Sequence, residues 1–198
     1  MNYKTKFVLL MFLALIALPG YTQQPPFKLP KKSKLTKIRS AVIVTSKGTL
    51  YLELYPDDAP WHVANFKYLA DKGFYNGLKF KIFKPGYIIQ GGGPRNNPSG
   101  DVGWRLPAEF NDRPHEYGSL GMARKQDLIN PERSSNSSQF HILLRRASHM
   151  DGSYTVFGKV VAGYETLEKL RADDRIEMLT VYVRNPESKS STIEALIP

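Results

Sequence analysis

The stretch FKIFKPGYIIQGGG, Phe80 to Gly93, constrains this chain more than any other. It starts as alternating side chains, breaks at Pro85-Gly86, resumes with Tyr87, Ile88, Ile89 and Gln90, and ends on three glycines. Pro-Gly between two β-prone runs predicts a bend joining two strands. The glycines predict backbone that turns sharply or lets another group approach closely. Gln90 is the odd residue of the run. A buried amide costs free energy unless it is partnered, so a Gln between apolar residues and a glycine triplet marks a position with a polar task.

Around this stretch the rest of the chain reads as β-rich. AVIVTS and TLYLELY, separated by Lys47-Gly48, predict a hairpin, with Leu50, Leu52 and Leu54 alternating against Tyr51, Glu53 and Tyr55. Asp57 and Asp58 then offer N-caps and Pro60 an early helical position, and Val63, Phe66, Leu69 and Ala70 make one apolar face up to Gly73. Later runs at 79–83, 87–90, 119–123, 139–144, 155–161 and 178–183 bring the strand count to about eight, and a second helix is expected over 164–172. Periodicity alone leaves a sandwich and a closed barrel both open.

With 198 residues, 41% of them hydrophobic, one core and one domain are expected. The chain has no cysteine, which excludes a disulfide framework, a thiolate metal site and a Cys nucleophile. His62, His115, His141 and His149 show no metal-ligand spacing, and neither a metal nor a cofactor is expected. No nucleophile elbow supports a hydrolase.

The two ends differ from the middle. Lys4 and Lys6 precede an apolar run from Phe7 to Leu18, too short to span a bilayer comfortably but the length of a signal-peptide core, so residues 1–22 read as a leader cleaved near Thr22-Gln23. An uncleaved N-terminal anchor is the other reading. Residues 23–39 carry three prolines and six basic residues with no acidic one, and read as a solvated linker. Residues 185–198 read as a loose tail. The net charge is +10, yet residues 1–39 hold eight Lys or Arg and no acid, so residues 40–198 are only about +2. The basicity therefore gives no case for nucleic-acid binding, and membrane contact is expected only through the leader or linker.

Seven landmarks in order carry a resemblance: TSKGTLYLELYPDDAP (45–60), NF (65–66), GFYNG (73–77), PGYIIQGG (85–92), GSLGMAR (118–124), NSSQFHI (136–142) and DGSYTVFGKV (151–160). Over Ala41 to Val183 the chain resembles the cyclophilin-type peptidyl-prolyl cis-trans isomerases. The resemblance implies a mainly β fold, a closed eight-stranded antiparallel barrel capped by two α-helices, spanning 40–184. It also implies a monomer that acts on X-Pro segments of unfolded or exported proteins, and cleavage of the leader implies a periplasmic or envelope location.

The chemistry this implies needs no covalent step. Rotation of an X-Pro bond breaks amide resonance, at a barrier of about 18–20 kcal/mol. A catalyst clamps the proline ring, holds the flanking backbone, and offers a donor to the prolyl nitrogen as its lone pair localises in the twisted state. By the resemblance, Gln90, Tyr87 and His141 fall at catalytic positions, and Ile88, Ala123, Arg124, Gln139, Met150, His149 and Tyr154 at substrate-binding ones. On the residues alone, Tyr87, Ile88 and Met150 read equally well as core, whereas Gln90 and Gln139 need partners. The departures are pointed. Ile82 stands where the family carries its catalytic Arg, Lys81 where it has His, His141 where a Phe lines the pocket, and Tyr154 where many members have His. The chain thus reads as an isomerase weakened at its donor, with Lys84, Arg124 or His141 as substitutes, or alternatively as a non-catalytic proline-binding chaperone or adaptor.

Overall fold

The structure is a computed structural model and describes residues 24–184 and Ile197. The expected leader, and the expected tail apart from Ile197, lie outside the described residues. Nine strands form one antiparallel sheet: β1 Ile38–Thr45, β2 Gly48–Leu54, β3 Ile82–Lys84, β4 Ile88–Gly91, β5 Arg105–Leu106, β6 Ser119–Arg124, β7 Ser135–Leu143, β8 Val156–Ala162 and β9 Ile176–Val183. The helices are α1 Lys32–Leu35, α2 Pro60–Asp71 and α3 Tyr164–Lys169. Eight strands match the eight sequence runs, and the two-residue β5 is the addition.

The strands follow the path β3-β4-β7-β6-β8-β2-β1-β9, with β5 beside β7. The continuous closed barrel that the resemblance implies is not what the ladder shows. The sheet curls, but its two edges meet outside the named strands, through one isolated bridge between Lys79 and Arg175. Backbone bonds reinforce this seam: Phe80 N to Asp174 O at 3.0 Å, Asp173 N to Phe80 O at 2.7 Å, Gly77 N to Ile176 O at 2.7 Å and Ile176 N to Leu78 O at 2.7 Å. The run expected as one strand over 79–83 is therefore shared. Its start serves the seam, and Ile82–Lys84 pairs with β4.

Inside the curl lie Ile43, Leu50, Leu52, Leu54, Ile89 and Leu120, all fully buried. α2 closes one end by inserting Val63, Phe66 and Leu69. Phe66 meets Phe140 and Phe157 edge-on, at ring distances of 5.6 and 5.3 Å. The long apolar side chains on one stripe of α2 explain why it buries rather than floats, since each such side chain gains about 1.5–3 kcal/mol on burial.

Two local expectations change. Asp57 and Asp58 do not cap α2; its N-cap is Ala59, which makes no side-chain bond. The carboxylate of Glu109 does the capping from a distant loop, accepting from Trp61 N at 2.9 Å and His62 N at 3.0 Å. The two aspartates instead pair with Arg39 and Arg113. The segment read as a solvated linker also contacts the domain. Its lysines at 28, 31, 32, 34 and 37 are exposed, but Leu35 is buried, Phe27 stacks on Tyr68 at 5.1 Å, and β1 begins at Ile38. Apolar residues spaced among the lysines find the outer flank of α2, which polarity counting over the segment hides.

Candidate active site

Alternation along three strands builds the site. On β4, β6 and β7 the residues Ile89, Leu120, Met122, Phe140 and Ile142 point into the main core. Their neighbours must then point to the opposite face, because successive side chains alternate. Strand register aligns those neighbours in rows. Ile82 pairs with Gln90, Gln90 with His141, and His141 with Gly121, giving one row across four strands. Lys84, Ile88 and Leu143 form the next.

The chain after β7 folds back over this outer face. Leu144 N bonds Tyr87 O at 2.8 Å and Ala147 N bonds His115 O at 2.8 Å, after which a short 3-10 turn, Ser148–Met150, sets Met150 down. Ile88, Leu143, Ala147 and Met150 thereby form a second, small apolar cluster, separate from the core, with Tyr87 and Tyr154 packed on it. Tyr87 Oη lies 3.0 Å from His149 Nε2 and 3.5 Å from Met150 Sδ.

Beside the cluster runs a chain of amides. Gln90 Nε2 donates to Gln139 Oε1 at 3.0 Å, and Gln139 Nε2 donates to Gly100 O at 2.5 Å. This orients the Gln90 amide and leaves its own oxygen and second N–H unclaimed by these two bonds. The glycine triplet makes the approach possible. At Gly92, with φ +85°, a Cβ would lie 2.2 Å from Ser138 O.

His141 lies over Gly121, where a Cβ would come within 2.4 Å of its Nε2. Its ring is stacked 6.5 Å from His115 and edge-on to Tyr154 at 6.2 Å. Burial, with a smaller push from His115, holds His141 down to about 3, so it is neutral near pH 7. His115 is held in turn: its Nδ1 lies 3.0 Å from Asp151, and Arg146 grips the same carboxylate. Burial lowers His115 despite that carboxylate, and Arg146, followed by the bonds from His115, holds Asp151 well below the usual carboxylate range.

Of the three substitute donors, Arg124 is engaged elsewhere. Its Nε donates to Ser153 O at 2.6 Å, its Nη1 to Asp127 and to Lys125 O, and its guanidinium lies 4.6 Å over Tyr154. His141 is enclosed. Lys84 is exposed in the row of Ile88. No guanidinium stands in the row of Ile82 and Gln90. Ala123 sits half-buried at the β6 bulge, next to Arg124 and off the aligned rows.

The fold thus brings together Ile82, Tyr87, Ile88, Gln90, Gln139, His141, His149, Met150 and Tyr154. Sequence reasoning missed Leu143, Gly121 and the His115–Asp151–Arg146 chain. Gly121 carried a readable signal, as a glycine inside a strand. A larger cavity of about 980 Å³ opens elsewhere, beside Trp61, Trp104 and Arg105. Size is outweighed here by convergent chemistry, because the oriented amides adjoin the small apolar cluster and not that cavity.

Comparison with known proteins identifies the family. Residues 40–193 match the family model described as cyclophilin type peptidyl-prolyl cis-trans isomerase/CLD. A peptidyl-prolyl cis-trans isomerase of Helicobacter pylori is 39% identical over 151 residues, covering 74% of this chain and 89% of that protein. Peptidyl-prolyl cis-trans isomerase B of Bacillus subtilis is 38% identical over 131 residues, covering 65% and 87%. A cyclophilin-type isomerase of Cryptosporidium parvum, solved in the presence of the dipeptide Ala-Pro, superposes with a TM-score of 0.66 at 26% identity, covering 74% of this chain and all of that one. The chain belongs to the cyclophilin-type peptidyl-prolyl cis-trans isomerases, enzymes that interconvert the two forms of an X-Pro bond.

Proposed function

We propose that the outer-face cluster is where this isomerase holds and twists X-Pro bonds, in unfolded segments of exported proteins. The observation that carries the reading is the amide chain from Gln90 through Gln139 to Gly100 O, set beside an apolar cluster outside the core. The proline ring packs on Ile88, Leu143 and Met150 under Tyr87. Gln90 holds substrate backbone, and the Ala-Pro dipeptide used with the Cryptosporidium relative is the smallest ligand of this class. Neutral His141 backs the pocket wall, as the family's Phe does.

Twisting localises the lone pair on the prolyl nitrogen, and a donor aimed there lowers the barrier because it acts only in the twisted state. With Ile82 in the Gln90 row, that donor is missing from its usual place, and turnover is slowed accordingly. The same observation favours a second reading, a proline-segment chaperone or adaptor with little catalysis. The seam hydrogen bonds between 77–80 and 173–176 support taking the curled sheet as a barrel closed in the working protein. The basic-then-apolar start supports export, and N-terminal sequencing of the native protein is expected to begin near Gln23.

Exchange spectroscopy on a proline peptide tests the reading. Shifts at the Ile88 and Met150 methyls with weak, micromolar to millimolar affinity are expected, since a few hydrogen bonds worth about 1 kcal/mol each support no tighter binding. Shifts confined to another face of the sheet refute the assignment. A measurable isomerisation rate separates the enzyme from the adaptor.

A further inference from the structure

Two cations border the cluster with no carboxylate paired to them among the described residues. Arg145 is exposed, and its guanidinium lies 5.0 Å from the centre of the Tyr87 ring. Lys84 is exposed in the row that contains Ile88 and Leu143. The neighbouring carboxylates are taken: Asp151 by Arg146 and His115, Asp127 by Arg124 and Arg133, Asp173 by Lys79 and Lys81. Among the described residues, the side chains of Arg145 and Lys84 have no ion-pair or hydrogen-bond partner.

A cation resting on an aromatic face keeps its formal charge and its N–H edges, so the stack orients the guanidinium without satisfying it. A planar fork held this way is matched to a carboxylate. Tyr87 is itself tied to His149 and Met150, which fixes the platform against the apolar cluster.

We propose that Arg145, with Lys84, selects X-Pro segments carrying an acidic side chain directly before or after the proline. The inference rests on the outer-face cluster being the proline site. Arg145 is a specificity residue here. It touches the flanking side chain and takes no part in the twist.

The test uses the full chain and three sets of proline peptides with Glu, Gln or Lys next to the proline on either side, with kcat/KM read by exchange spectroscopy. Exposed pairs are weak, so Glu is expected to lead Gln by about threefold and Lys by roughly tenfold at low salt. The order should collapse near 1 M salt, where the screening length is about 3 Å. Arg145→Glu should invert the order of the Glu and Lys peptides, and Arg145→Lys should keep it with a smaller spread. Equal rates for Glu and Lys peptides on both sides, or an order that survives Arg145→Glu, overturn the inference. The Gln peptides separate the two layers of argument. If they perturb Ile88 and Met150 but no charge order exists, only the charge inference falls. If they perturb a different face, the site reading falls and the selectivity of Arg145 with it.

Discussion

The two faces of β4, β6 and β7 are built from alternate residues of the same strands, and along β7 they are almost equally buried. On the inner face Ile89, Phe140 and Ile142 are fully buried; on the outer, Gln139 is 4% and His141 1% exposed. Burial therefore does not separate core from site. Chemistry does. The inner face is apolar and aromatic, with its rings meeting edge to edge. The outer face carries two linked amides, Gln90 and Gln139, and the imidazole of His141, on which the loop residue His115 stacks. Burying polar groups costs desolvation that an apolar face avoids, and their concentration on this face marks it as the candidate site.

The sharpest way to break this comparison is to cut one residue from each face of β7. Phe140→Ala removes a ring packed among Phe66, Tyr75 and Phe80 and is expected to cost about 3–5 kcal/mol in urea unfolding. Its neighbour Gln139→Leu keeps the volume and breaks the amide chain, at about 1 kcal/mol. Its larger effect should fall on peptide binding. Equal stability losses for the two would erase the division of labour.

Acid probes the outer face next. Folded His141 titrates at about 3, pushed down first by burial and then by His115, whereas an unfolded imidazole titrates near 6.5. Between these values the unfolded chain binds a proton that the folded chain does not. Stability should therefore fall as pH drops from about 6.5 toward 3. His115, also lowered, works in the same direction, and Asp151, held low by Arg146, adds a further loss once pH falls below about 4, where the unfolded carboxylate takes up a proton that the folded one does not. His141→Phe removes the His141 share, worth roughly 3 kcal/mol at pH 4. Urea midpoints against pH should be flatter for the variant. Parallel curves would mean that His141 opens to water and titrates normally.

Much of the inner face was legible in the sequence because it follows local rules. Leu50, Leu52 and Leu54 alternate, Val63, Phe66 and Leu69 keep helical spacing, and Gly and Pro mark the turns. All eight expected strands formed. The closure of the sheet was not legible, since the 77–80 seam depends on residues nearly a hundred positions later. β5 has two residues and exists through its pairing with Asn136 and Ser135. The outer site was legible as residue types, through the family resemblance, but not as an arrangement. The row Ile82–Gln90–His141–Gly121 follows from register across four strands, and the His115–Asp151–Arg146 chain from a loop folding back.

The cap of α2 tests the same long-range dependence with a smaller effect. Glu109 receives Trp61 N, His62 N and the His62 ring nitrogen at 2.6 Å, so Glu109→Ala should cost about 2 kcal/mol. Asp58, by contrast, holds only a half-exposed pair with Arg113, and Asp58→Ala should cost less than about 1 kcal/mol. Thermal unfolding followed by the helical signal reads both. A larger loss at Asp58 would restore the local-cap reading of the sequence.

The change expected at Ile82, smaller than those at Phe140, His141 and Glu109, is the most informative about function. Ile82 begins the outer row one strand from Gln90 and is only partly buried, so an Arg there need not bring its charge into the core. If a guanidinium at this position donates to the prolyl nitrogen only as the amide twists, Ile82→Arg should raise kcat/KM at least tenfold, about 1.4 kcal/mol, and barely change peptide affinity. A full restoration of the roughly 10²–10³ that an oriented donor supplies is not expected, because a guanidinium set into a position shaped around Ile is not oriented in advance. Ile82→Lys adds the charge without the planar fork and should gain less. Rates and affinities measured together on one peptide decide the matter. If affinity rises in step with rate, the new charge merely binds substrate. If the unaltered protein already turns over at the family's ordinary rate and Ile82→Arg adds nothing, the donor lies elsewhere on the outer face. Lys84→Ala then becomes the deciding variant, since Arg124 is committed to Asp127 and Ser153.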